Sequence, residues 1–176
     1  MLVLVAGCGT LGNCIRELDT QLKLGDEGAH EMCIDALGAT SQLLKALLPG
    51  AVMTEDWESL ANRTVLPAIG ASGSLPVVIF NPRRFLREDE PRLPGEPLPL
   101  GWDVTTDSIA ARLAEVTRAD DLALLKSSRP PNFTRLDDLA DAGYVDRYFP
   151  WAVRSVAEVR FVNLADNHYP EVYAFE

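Results

Sequence analysis

The chain of 176 residues has a mass of 19.3 kDa, which is enough for one compact domain and too little for two ordinary ones. Hydrophobic residues (47%) and charged residues (24%) are balanced as in globular proteins, which excludes a disordered chain. The formal net charge of −10 argues against a grip on the phosphate backbone of DNA or RNA, because that grip needs a continuous basic face.

The apolar segments and the cysteines indicate a cytoplasmic protein. The longest apolar runs, 2–6 and 77–80, are far shorter than the roughly 20 residues that a membrane-spanning helix needs. The first run has no basic leader, so we expect neither a secretory signal nor a membrane partner. The cysteines at 8, 14 and 33 match neither a disulfide framework nor a zinc site, and we expect reduced thiols that mostly pack.

The first third of the chain predicts one buried strand and two helices. The continuous apolar run at 2–6 is typical of a central strand in a parallel sheet. Apolar residues then recur every three or four positions from Leu11 to Leu22, which predicts an amphipathic helix. The same spacing predicts a longer helix over 26–48, which Pro49 ends.

The middle of the chain predicts short elements and a long loop. Short strands are expected at 51–53 and 65–66 around a small helix at 56–62, and a clearer strand is expected at 76–80. Five prolines between residues 81 and 101 predict a loop that is neither helix nor strand, and loops of this length usually have a function.

The last third of the chain continues the alternation of helices and strands. Thr105 or Thr106 can cap a helix that ends near residue 117. The following pattern predicts strands at 122–125 and 159–163, a loop at 127–133, and helical turns at 136–142 and 151–156. This alternation predicts an α/β fold with a mostly parallel sheet.

A glycine-rich turn, Gly7-Cys8-Gly9-Thr10-Leu11-Gly12, lies between the first predicted strand and helix. Such a turn can bring backbone N–H groups to a phosphate, or it can be a tight turn without a ligand. Its G-x-G-x-x-G spacing also allows a Rossmann-type oxidoreductase that binds NAD, which needs an acid on a second strand about 20 residues later. Asp35 is the candidate acid, but the helical pattern over 31–36 argues against that strand.

A second group of polar residues lies between 101 and 129. Thr105, Thr106, Asp107 and Ser108 stand at a predicted helix start, and Lys126 stands at the end of the next predicted strand. Helix starts and strand ends form the ligand crevice of open α/β sheets. Cationic groups at such a place stabilise a phosphoryl group in transfer.

The segments Thr105–Ala110 and Leu124–Lys126 resemble the amino acid kinase family. Residues 15–19, 25–30 and 146–150 are similar to a branch of small kinases in the methanofuran pathway. This resemblance covers most of the chain and implies a three-layer α/β sandwich. It also implies one kinase-like domain over 1–176 that lacks the first strand of the family, and is therefore N-terminally incomplete.

The resemblance further implies a kinase that uses ATP and Mg²⁺ to phosphorylate a small phosphorylated or carboxylated metabolite. Asp107 would organise the reacting phosphates and Lys126 would lie near the nucleotide, as the catalytic pair. The remaining implied residues bind the nucleotide (Thr106, Ser127, Ser128, Arg129) or the phosphate acceptor (Gly7, Gly9, Asp19, His30).

Two departures from the family keep a second reading open. The family carries a lysine and a glycine pair on its first strand, and an Asp-x-Asp-Gly stretch after the position of Lys126, where this chain has Ser127-Ser128-Arg129-Pro130-Pro131. A catalytically inactive binding or regulatory domain of the same fold would tolerate both departures. A missing first strand would also leave a sheet edge exposed, which allows a homo-oligomer.

Other charged and aromatic groups have two interpretations each. The arginines of the proline-rich loop could clamp a phosphate or be neutralised by the acids beside them. The aromatic residues between 144 and 151 could flank an adenine or pack in the core. The first group is Arg83, Arg84 and Arg87, and the second is Tyr144, Tyr148, Phe149 and Trp151.

Overall fold

The computed structural model describes residues 1–64, 76–131 and 135–174 and divides the chain into two compact units, Met1–Trp102 and Asp103–Glu176. The predicted strand at 65–66 and the end of the predicted loop at 127–133 lie outside the described residues.

Unit 1, Met1–Trp102, holds a three-stranded parallel sheet of order β1-β3-β2. Val78, in β3, is paired with Val3 on one side and Val52 on the other. Each strand and helix predicted in the described part of this unit up to residue 80 is present within two residues of its expected bounds. They are β1 (Leu2–Val5), α1 (Thr10–Leu22), α2 (Gly25–Leu47), β2 (Val52–Thr54), α3 (Trp57–Ala61) and β3 (Val77–Phe80).

The prediction that the first strand is central was wrong. Among the described strands β1 has one neighbour, and Leu2 is 48% exposed. β3 is central, and its residues Val78, Ile79 and Phe80 are fully buried. Both runs are continuously apolar, so composition alone could not decide which of them has two neighbours.

The prediction that 81–101 contains neither helix nor strand was also wrong. Phe85–Asp89 forms a π-helical turn and Glu90–Arg92 a 3₁₀ turn. Phe85 and Leu86 are buried, and Pro91 occupies the first turn of the 3₁₀ segment, where its missing N–H costs nothing. Burial of two apolar side chains therefore orders a segment whose proline content suggested a loop.

Unit 2, Asp103–Glu176, holds the sheet β4-β5-β6, in which β4 and β5 are parallel and β6 is antiparallel to β5. Its core includes Phe149 and Phe161, whose ring centroids are 6.5 Å apart. The strand β6 was not predicted, and the turn predicted at 151–156 begins two residues earlier. The elements are α4 (Thr106–Thr117), β4 (Leu122–Lys126), α5 (Leu136–Asp141), α6 (Phe149–Ala152), β5 (Val159–Asn163) and β6 (Glu171–Tyr173).

The α/β class is confirmed, and three of the four pairings between described strands are parallel. The described strands form two three-stranded sheets, where the sequence suggested one. The single kinase-like domain over 1–176 stays a prediction. Within the described ranges, no helix is long and apolar enough to cross a membrane.

Candidate functional site

Asp107 and Lys126 form an ion pair in unit 2. Lys126 is the last residue of β4, and Asp107 lies in the first turn of α4. The ammonium Nζ of Lys126 is 2.6 Å from Oδ2 of Asp107, and the two side chains are only 19% and 17% exposed. The helix start and the strand end that the sequence singled out are therefore in contact.

Burial sets the electrostatics of this pair. Removal from water raises the pKa of Asp107, and the charge of Asp146 acts in the same direction. The ammonium of Lys126 opposes both effects, because it attracts the ionised carboxylate. The pKa of Asp107 is therefore raised above its ordinary value of 3.8, and keeping this carboxylate ionised lowers the stability of the folded state.

Tyr144 completes the surroundings of Lys126. The ammonium lies 5.4 Å from the centroid of the tyrosine ring, which is within the range of a cation–π contact. The Tyr144 hydroxyl donates a hydrogen bond of 3.2 Å to the backbone carbonyl of Ser128, just beyond β4. Burial, with a contribution from Asp107, raises the pKa of Tyr144, so this hydroxyl stays protonated and can donate.

Asp146 holds the start of α4. Its Oδ2 accepts from the backbone N–H of Thr105 at 2.8 Å, from the Thr105 hydroxyl at 2.9 Å and from the Ser108 N–H at 3.0 Å. Its Oδ1 accepts from the Ser108 hydroxyl. Thr105 is the N-cap residue of α4, as the sequence predicted, but its hydroxyl makes no cap bond and donates to Asp146 instead.

Sequence reasoning missed this role of Asp146, which lies 38 residues from Ser108. The resemblance had marked residues 146–150 as a motif, and that was the available signal. Helix capping signals in a sequence lie within a few residues of the helix start, so they do not indicate an acceptor from another part of the chain.

The other residues predicted to bind the nucleotide lie beside the ion pair in the chain. Thr106 begins α4, and Ser127, Ser128 and Arg129 follow β4. Arg129 is 76% exposed and lies 3.4 Å from the carboxylate of Asp166. Their role in nucleotide binding stays a prediction.

The glycine-rich turn of unit 1 joins β1 to α1. Gly9 has φ of +54°, a left-handed conformation that favours glycine, and it precedes the first residue of α1. Gly12 lies against Cys8, since a Cβ on Gly12 would be 2.9 Å from the Cys8 Cβ. Asp35 lies on α2, as the helical pattern indicated, and not on the second strand that the dinucleotide signature needs.

Asp19 and His30, predicted to lie near a phosphate acceptor, are both in unit 1. Both carboxylate oxygens of Asp19 accept hydrogen bonds, from the Gly25 N–H at 3.0 Å and from the Trp102 indole N–H at 2.8 Å. His30 is half-buried on α2, and loss of water lowers its pKa from 6.5. Asp19 thus has an evident structural role, and the acceptor role of all four predicted residues, Gly7, Gly9, Asp19 and His30, stays a prediction.

The arginines of the proline-rich loop are paired with acids. Arg83 and Arg87 contact Asp35 at 3.0 Å and 3.1 Å. Arg84 lies 3.6 Å from Glu88. Acids therefore neutralise these side chains, but only Arg84 pairs within the loop, while the acid that pairs with Arg83 and Arg87 comes from α2.

The aromatic residues divide between core and surface. Phe149 is fully buried in the core of unit 2. Tyr144 packs edge-on against Phe161 with ring centroids 5.5 Å apart. Trp151 is exposed, and the guanidinium of Arg154 lies 3.7 Å from the centroid of its ring. Core packing accounts for Phe149, while Tyr144 also contacts Lys126.

No match was found for this chain among protein-family models or among curated proteins.

Proposed function

We propose that this protein is an ATP-dependent phosphotransferase that acts on a small phosphorylated or carboxylated metabolite. The observation that carries the proposal is the half-buried ion pair between Asp107 and Lys126 at the start of α4 and the end of β4. The resemblance of 105–110 and 124–126 to the amino acid kinase family supports the same reaction class. A three-layer sandwich of that family is the fold we propose with it.

Lys126 is the group best suited to contact a phosphate. Its ammonium is fixed by Asp107 at 2.6 Å and faces the ring of Tyr144, so it is a positioned cation and not a freely rotating one. A positioned cation stabilises the negative charge of a phosphoryl group more effectively than a solvated one, because it needs no reorganisation during transfer. Asp107 orients this ammonium through its Oδ2.

The start of α4 is a less suitable phosphate site. Asp146 already accepts from the N–H groups of Thr105 and Ser108, and its negative charge offsets the positive end of the helix dipole. We therefore place the nucleotide phosphates toward Lys126 and the residues after β4, namely Ser127, Ser128 and Arg129, and expect Thr106 to have a smaller part.

Mg²⁺ with ATP is compatible with these residues. Among the described residues no group of three or more His, Cys, Asp and Glu side chains could hold a metal ion alone. Nucleotide-bound Mg²⁺ does not need such a group, because phosphate oxygens and water fill most of its six positions and one carboxylate suffices. Asp107 is the carboxylate that would contact it, and the metal would supply neutralisation of phosphate charge.

The proposed reaction moves the terminal phosphoryl group of ATP to an oxygen of the metabolite. The bond between that phosphorus and the bridging oxygen breaks, a bond to the acceptor oxygen forms, and ADP leaves. No covalent enzyme intermediate is needed. In this reaction Lys126 stabilises charge on the transferring group, and Asp107 keeps its ammonium in place.

Calorimetric titration of the protein with ATP and Mg²⁺ tests the proposal. We expect saturable binding, at least tenfold weaker in Lys126→Ala and in Asp107→Asn, since each change removes one member of a half-buried charged pair. Asp137→Asn is the matched control, because Asp137 is an exposed acid in the first turn of another helix, α5. It should bind ATP as the unchanged protein does.

The outcomes separate the two kinase-fold readings. Binding of ATP followed by transfer to a phosphorylated or carboxylated metabolite in a substrate screen would support the enzyme. Binding of ATP without transfer would favour the inactive binding or regulatory domain. A folded protein that binds no ATP would overturn the proposal.

A further inference from the structure

Cys8 and Cys33 lie together in unit 1, although 25 residues separate them in the chain. Cys8 belongs to the glycine-rich turn after β1, and Cys33 lies on α2. The thiol of Cys8 donates a hydrogen bond of 3.5 Å to the backbone carbonyl of Cys33. Both side chains pack against the same buried cluster of Ile15, Ala29 and Ala36, and both remain partly exposed.

The two thiols differ in reactivity. The contact between them lowers the pKa of Cys33 and raises that of Cys8. The positive charge of Arg16 lowers the pKa of Cys33 further. Because the thiolate is the nucleophilic form of cysteine, Cys33 is the attacking sulfur of the pair and Cys8 is the second, resolving one.

The surroundings hold both partners in place. Gly12 packs against Cys8, because a Cβ there would approach the Cys8 Cβ to 2.9 Å. The guanidinium of Arg16, whose charge acts on Cys33, lies 4.6 Å from the centroid of the Trp102 ring. A buried packing cysteine would need neither a cation nor a second thiol beside it.

We propose that Cys8 and Cys33 form a dithiol site that reacts with low-molecular-weight disulfides, such as oxidised glutathione, to give an intramolecular disulfide. The proposal is independent of nucleotide binding. It adds a reaction to the packing role expected for these cysteines, and it assigns no such role to Cys14, which is exposed on α1.

The reaction has two exchange steps. The Cys33 thiolate attacks one sulfur of the small disulfide, whose S–S bond breaks and releases one thiolate. Cys8 then loses its proton to solvent and attacks the Cys33 sulfur of the mixed disulfide, which releases the second small thiol. Two protein thiols are oxidised and one small disulfide is reduced to two thiols, so no further oxidant is needed.

The test is incubation of the folded, reduced protein with oxidised glutathione, followed by alkylation and peptide mass mapping without reductant. We expect a linked peptide pair containing Cys8 and Cys33, both in the unchanged protein and in Cys14→Ser. Cys8→Ser should instead accumulate a glutathione adduct on Cys33, because no resolving thiol is present. In Cys33→Ser, the free thiol of Cys8 should react about tenfold more slowly than it does in the unchanged protein.

Two results would overturn the proposal. One is an unchanged protein that keeps both thiols alkylatable while only Cys14 carries the adduct. The other is equal reactivity of Cys8→Ser and Cys33→Ser at their remaining thiol, which would show that Arg16 and the thiol contact do not distinguish the pair. Circular dichroism before the reaction establishes that each variant is folded, and the mapping of the unchanged protein decides the matter if one variant is not.

Discussion

Asp146 accepts hydrogen bonds from two backbone N–H groups and two hydroxyls at the start of α4 while it is only 8% exposed. Its removal leaves these buried donors without an acceptor. We expect Asp146→Ala to lower the free energy of unfolding by about 2 to 4 kcal/mol, as measured by urea denaturation. Asp141→Ala, at the exposed end of α5, is the control and should change stability little.

If Asp146→Ala lowers the free energy of unfolding no more than the control does, Asp146 does not hold the start of α4 as described. Asp146→Asn is informative beside it. The amide keeps the size of the side chain but has one acceptor oxygen in place of two, so we expect an intermediate loss.

The raised pKa of Asp107 makes a prediction about pH. Its folded pKa lies above the unfolded value of 3.8, so the unfolded chain releases this proton first as pH rises. The contribution of Asp107 to stability therefore falls as pH rises from about 3.8 to the folded pKa and stays constant above it. Asp107→Asn lacks this titration.

The measurement is urea denaturation of both proteins from about pH 3 to pH 7. We expect Asp107→Asn to become more stable relative to the unchanged protein as pH rises through this window. The attraction of Lys126 is already part of the folded pKa of Asp107. The test is therefore how the difference in free energy of unfolding between the two proteins changes with pH, and not its size at one pH. A slope of opposite sign would mean that Lys126 outweighs burial at Asp107.

In α1 and α2, substitutions at two glycines measure the effect of helix propensity on stability separately from the effect of packing. Gly12 in α1 has no room for a methyl group, since a Cβ would be 2.9 Å from the Cys8 Cβ. Gly28 in α2 is exposed, and a Cβ there would be an ordinary 3.6 Å from the Leu24 Cβ.

We expect Gly12→Ala to lower the free energy of unfolding by about 1 to 2 kcal/mol, because the clash exceeds the gain in helix propensity. Gly28→Ala should raise it by about 0.5 to 1 kcal/mol through propensity alone. Thermal or urea unfolding of the two variants measures both. Stabilisation by Gly12→Ala would show that the turn can move away from α1 at no cost.

Several elements were readable because their signals are local. The spacing of apolar residues located α1 and α2, the threonines at 105 and 106 marked the start of α4, and the apolar run at 122–125 located β4. The ordered turns at 85–92 were missed because burial of Phe85 outweighs the proline content of that segment.

At the scale of the whole molecule, each unit has its own sheet and its own buried residues. Unit 1 is built around the fully buried strand β3, and unit 2 around a core that contains Phe149 and Phe161. The excess of acids over bases, which gives the net charge of −10, leaves most surface arginines described above with an acidic partner. A basic face of the kind that nucleic acid requires is not expected from this composition.

The α/β class and most helices and strands could be predicted from the sequence alone, because periodicity and turn signals depend on residues that are neighbours in the chain. Contacts in the folded chain were needed to show that β3 and not β1 is central, that Asp146 holds the start of α4, and that Cys8 contacts Cys33. These three features depend on contacts between residues that are 25 or more positions apart. Such contacts are set by how apolar surfaces are buried together, and no local pattern records that choice.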